Sequence, residues 1–230
     1  MRIAIFDVGT RNFAMIIEKV RNSALKNLVR LYSKLPEKEK IKEGRQHSET
    51  LKGYLNQYYK ECSTEHLELY DPNQGNTDGL VIQTRKNLFK FLEEHKEILK
   101  TCDHIAIEEQ YYNPKAGVVN KPALMLAECC FTWLLLNIPS CKPVYTPSKY
   151  KTALLACPKE SLMVNKEGLR MLTSWGKPQR KKWSVEKAKE IYELRGDKKM
   201  LEYMEKMKKG DDVADCLLMS IAFVLKHFVI

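Results

Sequence analysis

Three apolar runs in this chain begin or end on carboxylates, and that placement restricts its fold more than any other feature. Asp7 closes Arg2-Ile3-Ala4-Ile5-Phe6, Glu108 closes His104-Ile105-Ala106-Ile107, and Asp211-Asp212-Val213-Ala214-Asp215 opens the last apolar segment. An ionised carboxylate beside buried apolar chain is costly unless a cation or a donor compensates it, and Mg²⁺ is a hard ion that takes oxygen ligands. Hydrolysis of a phosphodiester commonly uses two such ions about 3.5–4 Å apart, one on the attacking and one on the leaving oxygen. On a helix starting near Asp211, residues three and four apart share a face, so Asp215 lies beside Asp212 and Asp211. Acids in a first turn also serve as caps, which is the competing role for Asp211. Asp215 lies beyond the cap positions and runs directly into Cys216-Leu217-Leu218-Met219.

The net charge of +10 is unevenly spread. Lys142 to Lys209 holds 18 Lys and Arg against 8 Asp and Glu, so the rest of the chain balances to zero. A polyanion lying there would cross the carboxylates, with cations neutralising phosphates that the acids alone would repel. Nucleic acid is the economical partner. Arg180-Lys181-Lys182-Trp183 is a compact basic cluster with an aromatic beside it, and it is expected in a loop. Lys149, Lys151, Arg180, Lys181 and Lys182 are the candidate DNA contacts.

The 230 residues, 44% of them hydrophobic, suffice for one domain with its own core. No apolar run reaches membrane-spanning length, and with Met1 leading straight into the first predicted strand no signal peptide is expected. Seven cysteines, with no Cys-x-x-Cys pair, are expected as free thiols in a reducing, intracellular compartment. The spacing of the five histidines gives no support to a structural zinc site.

Patterning predicts strands over about 2–7, 12–20 and 26–33, forming an N-terminal antiparallel three-strand meander. Residues 34–79 are polar and broken by Pro and Gly; they read as an insertion with a helix only at about 49–60. Helices are expected at about 80–100, 121–137, after Pro147, around 160–173, at 184–207, and from Asp211 to about Val229. Strands are expected at about 104–108 and at Pro143-Val144-Tyr145. The result is an α/β fold, a mixed sheet covered by helices, with catalytic groups at strand ends.

Phe6-Asp7-Val8-Gly9-Thr10-Arg11-Asn12, Ile107-Glu108-Glu109-Gln110, Tyr145-Thr146-Pro147-Ser148-Lys149, Lys182-Trp183-Ser184-Val185-Glu186 and Asp211-Asp212-Val213-Ala214-Asp215 occur in the order of the RuvC-type Holliday junction resolvases. The chain most resembles the poxvirus and related large-DNA-virus members, over about 1–33 and 80–228. The resemblance implies an RNase H-like fold and a homodimer that cuts four-way DNA junctions with Mg²⁺ or Mn²⁺, two ions per active site. It implies Asp7, Glu108, Asp212 and Asp215 as metal ligands, and Lys182 or its neighbour Lys181 as a basic residue near the scissile phosphate. The viral members suggest host cytoplasm, where viral DNA replicates. The apolar segment 121–137 serves equally as a dimer interface or as core. Gln110-Tyr111-Tyr112 is read as packing, with base stacking the alternative. Flap or RNA–DNA hybrid cleavage, and a non-catalytic junction binder, are the alternative functions. The Asp7 segment also resembles the first phosphate loop of actin-like ATPases, but the second Gly-containing loop of that fold is missing.

Overall fold

The computed structural model describes residues 1–75, 80–110, 112–113, 118–164, 170–207 and 210–230, with side chains described outside 111–119 and 161–173. The chain runs β1 (Arg2–Asp7), β2 (Phe13–Val20), α1 (Asn22–Ser33), α2 (Glu49–Lys60), β3 (Cys62–Tyr70), α3 (Ile82–Glu94), α4 (Lys96–Leu99), β4 (His104–Glu109), β5 (Tyr112–Asn113), β6 (Val118–Val119), α5 (Lys121–Asn137), β7 (Pro143–Pro147), α6 (Lys149–Leu154), β8 (Glu160–Val164), β9 (Arg170–Ser174), α7 (Lys177–Arg195), α8 (Lys198–Lys206) and α9 (Asp211–Val224). A π-helical turn, Leu225–Val229, ends it.

Five strands form one sheet in the order β3-β2-β1-β4-β7. β1, β2 and β3 are antiparallel neighbours, while β4 and β7 run parallel to β1. This is the mixed sheet with an N-terminal antiparallel meander that the patterning predicts. Its third strand, however, is Cys62–Tyr70 and not 26–33, which belongs to α1. Ala24, Leu28 and Tyr32 are the buried residues of α1 and recur every four residues, so a helical stripe accounts for them. The stretch 34–79 therefore contains one of the two edge strands of the sheet, as well as α2 at its expected bounds. The segment around 160–173, expected to be helical, is the antiparallel pair β8 and β9. Arg180–Trp183 lies within α7 and not in a loop.

β1 is central, and Ile3, Ala4, Ile5 and Phe6 are all fully buried. Alternation sends Ile3 and Ile5 to one face, where Ile191 of α7 and Val213 and Leu217 of α9 pack. It sends Ala4 and Phe6 to the other, against Leu88 and Phe91 of α3 and Leu126 and Leu134 of α5. Asp7 therefore follows Ile5 onto the α9 face. In β4, Ala106 belongs to that same face, so Glu108 does too. No described helix is long and apolar enough to cross a membrane.

A buried ion pair joins four elements on the α9 face. Arg195, near the end of α7, donates from Nη2 to Glu18 Oε2 at 2.7 Å, with side-chain exposures of 3% and 1%. Arg195 Nε also donates to the carbonyl of Tyr59 at the end of α2, and Thr64 of β3 donates to Glu18. Removing one partner leaves the other charge buried and uncompensated. Arg195→Met should cost about 3–5 kcal/mol in chemical denaturation, and Glu18→Leu combined with it should restore much of that loss.

Candidate active site

The parallel register Phe6↔Ile107 makes Asp7 and Glu108 the next residues along adjacent strands, on the same face. α9 crosses that face with its N-terminus towards them, and Asp212 and Asp215 line the same cleft. The cleft has a volume of about 920 Å³ and is lined by Asp7, Glu108, Asp212 and Asp215 together with Lys149, Lys151, Lys177, Arg180 and Lys181. The four acids that the sequence offers as ligands thus meet in one cleft, although up to 208 positions separate them along the chain, as Asp7 and Asp215 do.

The chain shapes this site locally. The turn from β1 to β2 passes so close to itself that a Cβ on Gly9 would lie 2.5 Å from the carbonyl oxygen of Asn12. Glycine is therefore required to bring Asp7 to the cleft floor. Gly210 precedes α9, and Asp211 and Asp212 occupy its first turn, where the helix dipole favours negative charge.

Lys151 is the internal counter-ion. Its Nζ lies 3.2 Å from Glu108 Oε1 and 2.7 Å from Asp215 Oδ2, and the residue is only 9% exposed. Burial pushes the ammonium pKa down, but Glu108, Asp215 and Asp7 outweigh it and raise the pKa above that of an ordinary lysine. Asp7 has the opposite fate for an acid. Burial first, then the neighbouring Glu108 carboxylate, raises its pKa well above the usual range. Burial also opposes ionisation of Glu108, but Lys151 and a hydrogen bond shared with Asp7 win, and its pKa is lowered. Burial thus governs Asp7, while the adjacent Lys151 ammonium governs Glu108.

Lys181 and Lys182 part company here. Lys177, Arg180, Lys181 and Ser184 line the cleft at i, i+3, i+4 and i+7, which is one face of α7. Lys181 Nζ is paired with Asp211, and the Asp211 bond, followed by the charges of Asp212 and Asp215, raises its pKa against burial. Lys182 is one residue on, rotated by about 100°. Its side chain is 80% exposed, is absent from the cleft lining, and has its Nζ 3.7 Å from Glu186. Lys151, expected among the DNA contacts, is buried among the acids, whereas Lys149 and Arg180 are exposed at the cleft. Lys177 and Arg11 also line the cleft and escaped the sequence reading. Lys177 follows Gly176 and precedes Pro178 in the first turn of α7, a helix-start signal that would have placed it. Tyr111 lies outside the described residues, as does the side chain of Tyr112.

The donor set suits a hard divalent cation. The potential ligands that line the cleft are carboxylate oxygens, and Asp215 Oδ1 is sealed from solvent with no hydrogen-bond partner among the described residues. Lys151 occupies the charge-neutralising position.

Among solved structures, the Fowlpox virus Holliday junction resolvase superposes with a TM-score of 0.53 at 12% identity, covering 98% of this chain and 99% of that one. The same resolvase in its Holliday junction DNA complex scores 0.53. Thermus thermophilus RuvC superposes with a TM-score of 0.50 at 12% identity, covering 99% of this chain and 98% of that one. The chain has the fold of these resolvases. It is the RNase H-like fold, and the superposition runs nearly the full length of both chains. No protein-family model and no curated protein matches the sequence.

Lys151→Met should leave Glu108 and Asp215 facing each other without a cation. Its thermal midpoint in EDTA should fall well below that of the unsubstituted chain, and millimolar Mg²⁺ should recover more of the loss than it adds to the parent. An equal Mg²⁺ response in both proteins would show that Lys151 does not act as the cluster's cation.

Proposed function

We propose that this protein is a divalent-metal-dependent endonuclease that resolves four-way DNA junctions. The observation that carries the reading is the coincidence, in one cleft, of four converging carboxylates with the basic face of α7. Acids alone would repel a phosphodiester, and a binding module gains nothing from acids aimed at phosphate. Both signs together suit hydrolysis of a polyanion.

Asp7, Glu108, Asp212 and Asp215 would hold Mg²⁺ or Mn²⁺, two ions per site. Ions held there would supply Lewis acidity for hydrolysis of a phosphodiester that leaves 5′-phosphate and 3′-hydroxyl ends. Lys177, Arg180 and Lys181 hold the strand by its phosphates along one helix face, with Lys149 continuing the basic surface from α6. Lys181 is the better placed of the two adjacent lysines to meet the scissile phosphate, because Lys182 faces away. Lys151 keeps Glu108 and Asp215 together and gives up part of that role to a cation when one binds.

The symmetry of a four-way junction favours two such sites related by a two-fold axis, and hence a homodimer. α5 supports this, since it buries Leu126, Cys130 and Leu134 inward yet leaves Leu135 and Leu136 50% and 74% exposed. Sedimentation at micromolar concentration should show a dimer, and Leu136→Glu should shift it towards monomer. A wild-type chain that stays monomeric under those conditions removes the paired-cut model.

The deciding assay is cleavage of end-labelled four-way junction, linear duplex, flap and RNA–DNA hybrid with Mg²⁺. Symmetric, ligatable nicks confined to the junction are expected. Asp7→Asn, Glu108→Gln, Asp212→Asn and Asp215→Asn should each cut at least about 10²–10³-fold more slowly while still binding the junction. Lys181→Ala should impair cleavage and Lys182→Ala should stay near wild type. Preferential cutting of flap or hybrid would keep the site but change the substrate, and tight binding without cutting would leave a scaffold.

A further inference from the structure

On the opposite face of the sheet from the cleft, two histidines and a glutamate meet. His66 and Glu68 are two residues apart on β3, so they point the same way, towards the end of α3. Their face is that of Met15 and Ile17, their strand partners on β2, which pack with Phe91 and away from α9. His95, the residue that ends α3, completes the group. The three potential ligand atoms lie within 4.8 Å of one another.

Hydrogen bonding dictates what can sit between them. His95 Nδ1 lies 2.7 Å from the carbonyl oxygen of Phe91, which can only accept, so Nδ1 carries the proton. The ring is locked further by its packing on Phe91, with centroids 4.3 Å apart. His95 Nε2 then presents its other edge to Glu68 Oε2 at 2.7 Å. A proton there would satisfy this pair alone. His66 Nε2, 3.4 Å from the same carboxylate oxygen, is sealed from water and has no hydrogen-bond partner among the described residues. A shared cation satisfies all three at once.

We propose that His66, Glu68 and His95 form a second metal site, selective for a borderline-soft divalent ion such as Zn²⁺, that staples the edge strand β3 to α3. Imidazole nitrogens suit Zn²⁺ far better than Mg²⁺, so this site and the all-oxygen cleft discriminate between the two ions. The Nδ1 bond from His95 to a backbone carbonyl is the arrangement that fixes the tautomer and orientation of metal-binding histidines. Glu68, with 39% of its side chain exposed, gives the ion a path in and leaves a fourth position for water. β3 is the outer strand beside β2, and its pairing shifts register between Ile17 and Glu18, so a clamp at His66, the partner of Ile17, acts beside that irregularity. The site is independent of the function proposed for the cleft.

The test is calorimetric titration of metal-stripped protein with Zn²⁺ in excess Mg²⁺, paired with thermal unfolding. One Zn²⁺ per chain should bind, and the unfolding midpoint should rise on the order of 5 °C at a hundredfold excess over Kd. His66→Ala, His95→Gln and the near-isosteric Glu68→Gln should each weaken binding at least about tenfold, and Asp215→Asn should leave it unchanged. Should a histidine variant fail to fold, Glu68→Gln decides. Absence of stoichiometric Zn²⁺ binding by the wild type, or binding by Glu68→Gln as tight as the wild type's, would overturn the proposal.

Discussion

The ammonium of Lys151, held between Glu108 and Asp215, is the interaction on which the rest of the site depends. Carboxylates drawn from β1, β4 and α9 would not remain together beside an apolar core without a compensating charge, since burying each ion costs several kcal/mol. α6 supplies that charge from a short helix directly after β7. The lysine therefore ties the C-terminal end of the parallel strands to the start of α9. It also keeps the acids ready for a stronger cation, because a buried charge cluster with one ammonium among several carboxylates is still rich in oxygen ligands.

Around that centre the two faces of the sheet do different work. The α9 face carries the cleft at one end of the strands and the Arg195–Glu18 pair deeper in, so α7 contributes a basic face at its start and a buried cation near its end. The α3 face is apolar where Ala4 and Phe6 of β1 lie and carries His66, Glu68 and His95 at its β3 edge. The geometry of α7 resolves what looked like a run of equivalent cations. Helical phase turns Lys177, Arg180 and Lys181 to the cleft and Lys182 to solvent.

Legibility followed the strength of local patterning. β1, β4 and α5 were readable because apolar runs bounded by turn or cap signals admit few alternatives; Asn120 caps α5 and Pro122 lies in its first turn. α1 was misread as a strand because Leu28-Val29-Arg30-Leu31-Tyr32 is short and β-rich, and only burial of Ala24, Leu28 and Tyr32 reveals the helical period. β3 was hidden for the converse reason. As an edge strand with His66 and Glu68 on one face and half-buried residues on the other, it lacks the apolar signature that identifies a central strand.

The sequence by itself determined the inventory: which acids end apolar segments, that a surplus of lysine and arginine lies between Glu108 and Asp212, and that a mixed sheet with an antiparallel N-terminal meander would carry them. Those features are local, set by side-chain period and by the cost of placing charge beside apolar chain. Only the tertiary structure decided that Lys151 belongs among the acids instead of on the surface, that Lys181 and not Lys182 meets the cleft, and that His95 joins His66 and Glu68. Each of these is a distance between residues far apart in the chain or a rotation about a helix axis. Such quantities arise when the two faces of the sheet are packed, and no spacing along the chain encodes them.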